Sequence, residues 1–167
     1  MFGLGRLTTA IRRNHALEHA TVAVLLAKHG PMRIAGRASH NGFLLYADVT
    51  PEEVTACARE ALRRMQSGQA SLAVTPLCGT NIAMAGLLAA TAATAVLSFG
   101  SGPRGPTGSA FSNAFVASMF AVIAAQPLGL LVQEHITTSP DLEPVEVLET
   151  RVVRGNLKKV QTTGALN

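Results

Sequence analysis

His15, Glu18 and His19 fall within five consecutive residues, His15-Ala16-Leu17-Glu18-His19. Side chains four apart on a helix share a face one turn apart, so these two imidazoles can converge on a single ion. Zinc takes histidine nitrogen at about 2.0 Å in tetrahedral geometry, and the pair would supply half of such a site. Glu18 is three residues after His15 and adjacent to His19. That offset rotates its carboxylate off the metal axis but leaves it within reach of water activated by the ion, the placement of a general base.

A third ligand must come from elsewhere in the chain. Cys78 is the first candidate, because a thiolate is a good zinc ligand and its Pro76- and Gly79-flanked turn leads into an apolar segment. Glu60 is the second, on a helix expected to pack against the first. Cys57 lies on the apolar side of that helix and reads as core. His40 sits at a hairpin tip, where solvation is expected; His29 suits a helix C-terminus; His135, beside Glu134, reads as interfacial. Without a metal, His15 and Glu18 could bond each other, and His19 a carbonyl or the Asn81 region.

These residues need a helix to position them. Leu4, Leu7, Ile11, His15, Glu18, Val22, Leu25 or Leu26, and His29 recur at steps of three and four, the stripe of an amphipathic helix ended by Gly30-Pro31. The stripe places His15 and Glu18 where an apolar residue is expected. Burying an ionisable group without a partner costs several kcal/mol, so both must be paired, metal-bound or facing a cavity.

Arg33 to Ser39 and Phe43 to Val49 alternate as strands around His40-Asn41-Gly42, a hairpin signal. Thr50-Pro51-Glu52-Glu53 opens a second helix with a capping threonine, proline at the first position and acids in the first turn. Its apolar side is Val54, Cys57, Ala58, Ala61, Leu62 and Met65, and Ser67-Gly68 closes it. Ser71 to Thr75 could form a third strand. Val145 to Val153 reads as another, able to pair with the earlier ones if the tail folds back, and the residues from Gly155 onward are expected to fray.

Charge is scarce and unevenly placed. Only 14% of residues are charged against 48% hydrophobic, lean for a soluble domain. No Lys, Arg, Asp or Glu lies between Arg64 and Arg104, or between Arg104 and Glu134. Asn81 to Gly100 and Ala110 to Val132 each reach the roughly 20 apolar residues a membrane-crossing helix needs. Both are internal and too long for a signal peptide.

Residues 1–80 carry nine Lys/Arg against five Asp/Glu, whereas the connecting turn holds only Arg104. The positive-inside bias then puts both termini in the cytoplasm and the hairpin in a bacterial inner membrane. Topology accounts for the formal net charge of +4; with aromatics at 4% and no basic stripe interleaved with them, nucleic acid is not an expected partner. The two cysteines form no close pair and lie in the region read as reducing, so no structural disulfide is expected. Gly86, Ala90 and Thr94, and Ala117, Ala121 and Ala125, repeat at four and give small faces for a tight hairpin, a homo-oligomer or a membrane-protein partner. Gln126-Pro127 should interrupt the second span.

The His-x-x-Glu-His helix resembles that of the inverzincin metallopeptidases, the pitrilysin and insulinase group. That resemblance covers five residues and implies His15 and His19 as ligands and Glu18 as base. Inverzincins are much larger, usually soluble, and use a distal glutamate as third ligand, which has no obvious counterpart here. More of the chain is similar to an uncharacterised family of small bacterial two-span membrane proteins with a His-Ala-Leu-Glu-His-Ala-Thr helix and a Cys-Gly-Thr-Asn turn, here His15–Thr21 and Cys78–Asn81. It implies no activity.

The expected architecture is α+β: residues 1–80 as a small cytoplasmic domain of two helices and a three- to four-stranded sheet, 81–133 as a transmembrane hairpin, and 134–167 as a cytoplasmic segment with one strand. The leading expectation is a membrane-anchored zinc hydrolase, peptidase-like, with Glu18 as base and His15, His19 and Cys78 or Glu60 as ligands. The alternatives are a non-catalytic membrane scaffold or complex subunit, with or without a structural metal, and a metal- or redox-sensing protein.

Overall fold

The computed structural model describes residues 2–102 and 105–166. The chain forms two compact units, Met1–Thr75 with Glu134–Asn167, and Pro76–Gln133.

The first unit is α+β. Helix α1 (Phe2–His29) is followed by strands β1 (Ala35–Ser39) and β2 (Gly42–Tyr46), helix α2 (Pro51–Gln66) and a short 3-10 turn, Ala70–Ala73. The chain returns later with β5 (Glu146–Arg154) and β6 (Leu157–Thr163). All four strands pair antiparallel in the order β1-β2-β6-β5. The expected fraying beyond Gly155 is therefore overturned: β6 is an interior strand, paired with β2 through Phe43↔Val160 and with β5 through Thr150↔Val160. A hairpin turn at Arg154–Leu157, with Gly155 at φ +52°, returns the chain onto β2, and two ladders replace the solvent contacts of a tail.

The core lies between this sheet and the two helices. Leu17, Leu25, Phe43, Leu45, Val54 and Val160 are all fully buried, each contributing about 1.5–3 kcal/mol of transfer free energy. Helix α2 follows its sequence signals closely. Thr50 Oγ1 accepts the Glu53 N–H at 3.3 Å, Pro51 is the first helical residue, and the buried side is Val54, Cys57, Ala58, Ala61, Leu62 and Met65. Lys28 and His29 end α1 against Glu53 in the first turn of α2, at 2.6 and 3.0 Å. The Lys28 bond holds the Glu53 carboxyl below the ordinary range, and Glu53 raises Lys28 in turn.

Helix α1 departs from the expected stripe. Leu4, Leu7 and Ile11 are exposed, and the buried side of the helix runs through Ala10, Arg13, Asn14, Leu17, Thr21 and Leu25. Polar anchors on α1 set that rotation. Asn14 is fully buried: its amide donates to Ser39 O and His40 O at 2.9 and 3.2 Å and accepts from Thr162 Oγ1 at 2.8 Å. Arg13 donates to Asp141 O, Asp141 Oδ2 and Ala165 O. The expected strand at Ser71–Thr75 is instead the Ala70–Ala73 turn, followed by Val74 with extended backbone.

The second unit is a helical hairpin. Helix α3 (Gly79–Phe99) connects through two short paired strands, β3 (Ser101–Gly102) and β4 (Gly105–Pro106), to α4 (Gly108–Val132). A π-helical turn, Gln133–Thr137, extends α4. Gly79–Phe99 and Gly108–Thr137 are each long and apolar enough to cross a membrane. Pro127 does not interrupt α4, which runs through it. Ala125 and Gly129 are buried against α3, whereas Gly86, Ala90 and Thr94 lie on its exposed side. A Cβ at Gly129 would stand 2.1 Å from Asn81 Oδ1. Asn81 Oδ1 accepts from Gln133 Nε2 at 2.9 Å, and its own amide donates to Pro76 O at 3.1 Å, a buried polar clasp at one end of the hairpin.

Candidate metal centre

Helix geometry brings His15 and His19 together as their spacing requires. Their ring centroids are 4.3 Å apart with an interplanar angle of 63°. His19 is buried and His15 half-buried.

Each ring is held by a backbone carbonyl from a different segment. His19 Nδ1 lies 2.7 Å from Ala73 O in the 3-10 turn, and His15 Nδ1 lies 2.9 Å from Thr137 O in the π-helical turn. A carbonyl only accepts, so Nδ1 is the donor in each pair, and in the neutral ring the lone pair is then at Nε2. Metal-ligating histidines are held in this way: the second-shell bond fixes tautomer and ring orientation and raises ligand basicity. The sequence allows a carbonyl partner for His19 but does not point to Ala73, whose segment reads as a strand, and residue 137 carries no motif that marks it as the partner of His15. Thr137 adds a further mark. Its Oγ1 is buried and, among the described residues, lacks a hydrogen-bond partner, the condition of a hydroxyl that a bound water or ligand satisfies.

Cys78 is the N-cap of α3, its Sγ accepting the Thr80 N–H at 3.4 Å. The cap is thus the cysteine itself. A helix N-terminus and a backbone donor both stabilise negative charge on that sulfur. His15 and His19 in the first unit, and Cys78 in the second, are a set of side-chain types that could hold a metal ion. Two imidazoles and a thiolate fit zinc, and also other borderline-soft divalent ions.

Glu60 is not a member of this group. Its carboxylate is gripped by Arg64 at 2.7 Å and by Arg63, and these bonds hold it below the usual carboxylate range. It lines a separate open cleft of about 380 Å³ with Lys28, Cys57 and Arg64. Cys57 is buried, as its place on α2 implied, and burial pushes its thiol up.

Glu18 is only 6% exposed and lies against Gly36 of β1. A Cβ at Gly36 would stand 2.1 Å from Glu18 Oε1 and 2.4 Å from Glu18 Cδ. The strand therefore reserves space for this carboxylate, a role no sequence signal at Gly36 disclosed. His29 pairs with Glu53, and His135 offers its carbonyl to Arg12 at 3.0 Å.

Residues 10–150 match a domain of unknown function, DUF6391, and the chain belongs to that family. It is 34% identical over 141 residues to an uncharacterised protein of Picosynechococcus sp. (strain PCC 7002), a match covering 77% of this chain and 66% of that protein. The chain thus spans just under two thirds of that relative's length. No solved structure matches it.

Proposed function

We propose that this protein is a membrane-anchored, zinc-dependent hydrolase acting on a peptide or related amide at the membrane surface. His15, His19 and Cys78 are the ligands, and Glu18 is the general base. The observation that carries this reading is the pair of Nδ1–H bonds to Ala73 O and Thr137 O, which turn both imidazoles into oriented Nε2 donors. Three protein ligands are the set of a catalytic zinc, which keeps a position for water or substrate, whereas a structural zinc is closed by four. Zinc, when bound, supplies Lewis acidity that polarises a carbonyl and makes water a better nucleophile at neutral pH. Glu18 takes the proton from the attacking water and returns it to the leaving amine. Burial of Glu18 against Gly36 restricts the rotamers over which that carboxylate can wander.

Anchorage rests on the two apolar helices, Gly79–Phe99 and Gly108–Thr137. Nine Lys/Arg against five Asp/Glu before residue 81, with Arg104 alone in the connecting turn, favour a bacterial inner membrane with both ends cytoplasmic.

A second reading draws on the same bonds. Each ring already has a carbonyl partner without any ion, and the small row Gly86, Ala90 and Thr94 lies exposed on α3. Both suit a non-catalytic scaffold or complex subunit. Metal analysis of the purified full chain separates the two. The hydrolase retains about one zinc per chain; His15→Ala and His19→Ala lose it, and Glu18→Gln keeps it while losing amide hydrolysis. Metal-free wild-type protein sinks the proposal, and equal hydrolysis by Glu18→Gln removes Glu18 from its role.

A further inference from the structure

The apolar stripe that opens α1 is uncovered. Leu4 is 74% exposed, Leu7 40% and Ile11 41%, at the three- and four-residue steps that place them along one side of the helix. The fold buries the neighbouring side instead, so this amphipathic signal in the sequence is left uncovered among the described residues.

The chain itself fixes where this stripe sits. Arg12, next to Ile11, donates to His135 O at 3.0 Å and to Thr138 O at 3.0 and 3.2 Å. The Ser139 N–H returns a bond to Arg12 O at 3.1 Å, and His15 bonds Thr137 O. The His135 and Thr137 carbonyls belong to the last turn of the second apolar segment, which ends at Thr137, and Thr138 and Ser139 follow it directly. Within the first unit, α1 is thus bonded to the stretch by which the chain leaves that segment. Ile136, inside the clamped stretch, is 63% exposed. At 1.5 Å per residue, Leu4 is only about 12 Å along the helix from Arg12.

Charge points the same way. Arg6, Arg12 and Arg13 precede the first acid, Glu18. Arg6 and Arg12 bond backbone carbonyls, Leu166 O in the first case, which bring no opposing full charge. A helix with leucine and isoleucine on one face and arginine beside it binds anionic lipid, its apolar side sinking about 5–10 Å into the headgroup and acyl boundary.

We infer that the first three turns of α1 form an interfacial membrane-docking surface, with Leu4, Leu7 and Ile11 inserted among the lipids and Arg6 at the headgroups. This rests on the reading of the two apolar helices as membrane spans. Docking holds the His15–His19 turn at the bilayer surface and restricts its substrates to segments lying there.

The chain has no tryptophan, so single Leu4→Trp, Leu7→Trp and Ile11→Trp variants each report one position. The full chain is reconstituted in phosphatidylcholine–phosphatidylglycerol vesicles containing lipids brominated near the headgroup end of the acyl chain. Phe115→Trp, on an exposed position of α4, marks the span, and Leu148→Trp, on β5, marks the aqueous side. The expected result is blue-shifted emission and quenching at 4, 7 and 11, and none at 148. Red-shifted, unquenched emission at the three positions puts the stripe in water and overturns the inference. Blue-shifted but unquenched emission assigns it to a second copy of the chain, and equally overturns it. Absence of quenching by any brominated lipid at position 115 as well removes the membrane reading, and the docking surface with it.

Discussion

Gly36→Ala tests whether Glu18 is held where the structure places it. The added methyl would stand 2.1 Å from Oε1, 2.4 Å from Cδ and 2.8 Å from Cγ of Glu18. Ordinary carbon contacts begin near 3.5 Å, so the carboxylate must retreat by more than about 1 Å. Glu18 is 6% exposed, and its backbone is fixed by α1, so the retreat forces a poorer rotamer or shifts the strand. Overpacking of this kind costs about 1–3 kcal/mol. For a chain of this size that is a fall in melting temperature of roughly 2–12 °C. Tyr46, the single tyrosine, lies on β2 and reports the unit by intrinsic fluorescence. The sign should reverse in a Glu18→Ala background. With the carboxylate gone and no positive φ at residue 36, Gly→Ala stabilises by about 0.4–1 kcal/mol through the unfolded chain. A double-mutant cycle should then return the coupling of residues in contact, about 0.5–3 kcal/mol. On the proposed chemistry, displacing the base by about 1 Å also lowers hydrolysis roughly 100-fold while the metal content holds. A Gly36→Ala variant that melts at or above wild type in the presence of Glu18 refutes the packing and the positioning argument with it.

Other expectations can be checked singly. Gly129→Ala sets a methyl 2.1 Å from Asn81 Oδ1 and should lower the midpoint of helical circular dichroism loss, at a cost of about 1–3 kcal/mol. Gly42→Ala meets Val160 O at 2.0 Å and a φ of +122°, so the β2–β6 ladder should be lost, seen as a collapse of amide exchange protection at Phe43 and Val160. Arg13, by its hydrogen bond and its charge, holds the Asp141 carboxyl low. Its stabilisation is present above the ordinary aspartate range and lost as pH falls through the depressed value. Asp141→Asn should therefore melt below wild type at neutral pH, with the gap closing in acid, and the partly exposed pair limits the difference to no more than about 1 kcal/mol.

Elements with strong local grammar were legible in the sequence. The Thr50-Pro51 start and buried side of α2, the Gly30 end of α1 and the presence of two long apolar helices were all readable there. Each depends on neighbouring residues and on backbone chemistry that operates over one or two turns. The C-terminal strands were only half read. Glu146–Arg154 shows alternation, but Leu157–Thr163 is Leu-Lys-Lys-Val-Gln-Thr-Thr, too polar to signal an interior strand. Lys158 is buried there because its ammonium donates to Ala47 O and Asn156 O, partners set by the fold. Proline at 127 did not stop α4, because an apolar helix packed on a neighbour keeps its remaining bonds.

The sequence alone determined that two imidazoles and a carboxylate share a helix, that two segments are apolar enough to cross a membrane, and that the turn holding Cys78 leads into the first of them. These follow from helical periodicity and composition, which act locally. Which side of α1 is buried, which carbonyls fix the rings, and which glycine makes room for Glu18 were decided only by tertiary structure. The anchors at Asn14, Arg13 and Arg12 join residues more than 100 positions apart, Thr162, Asp141 and Thr138, and hydrogen bonds over that separation exist only once the chain has closed.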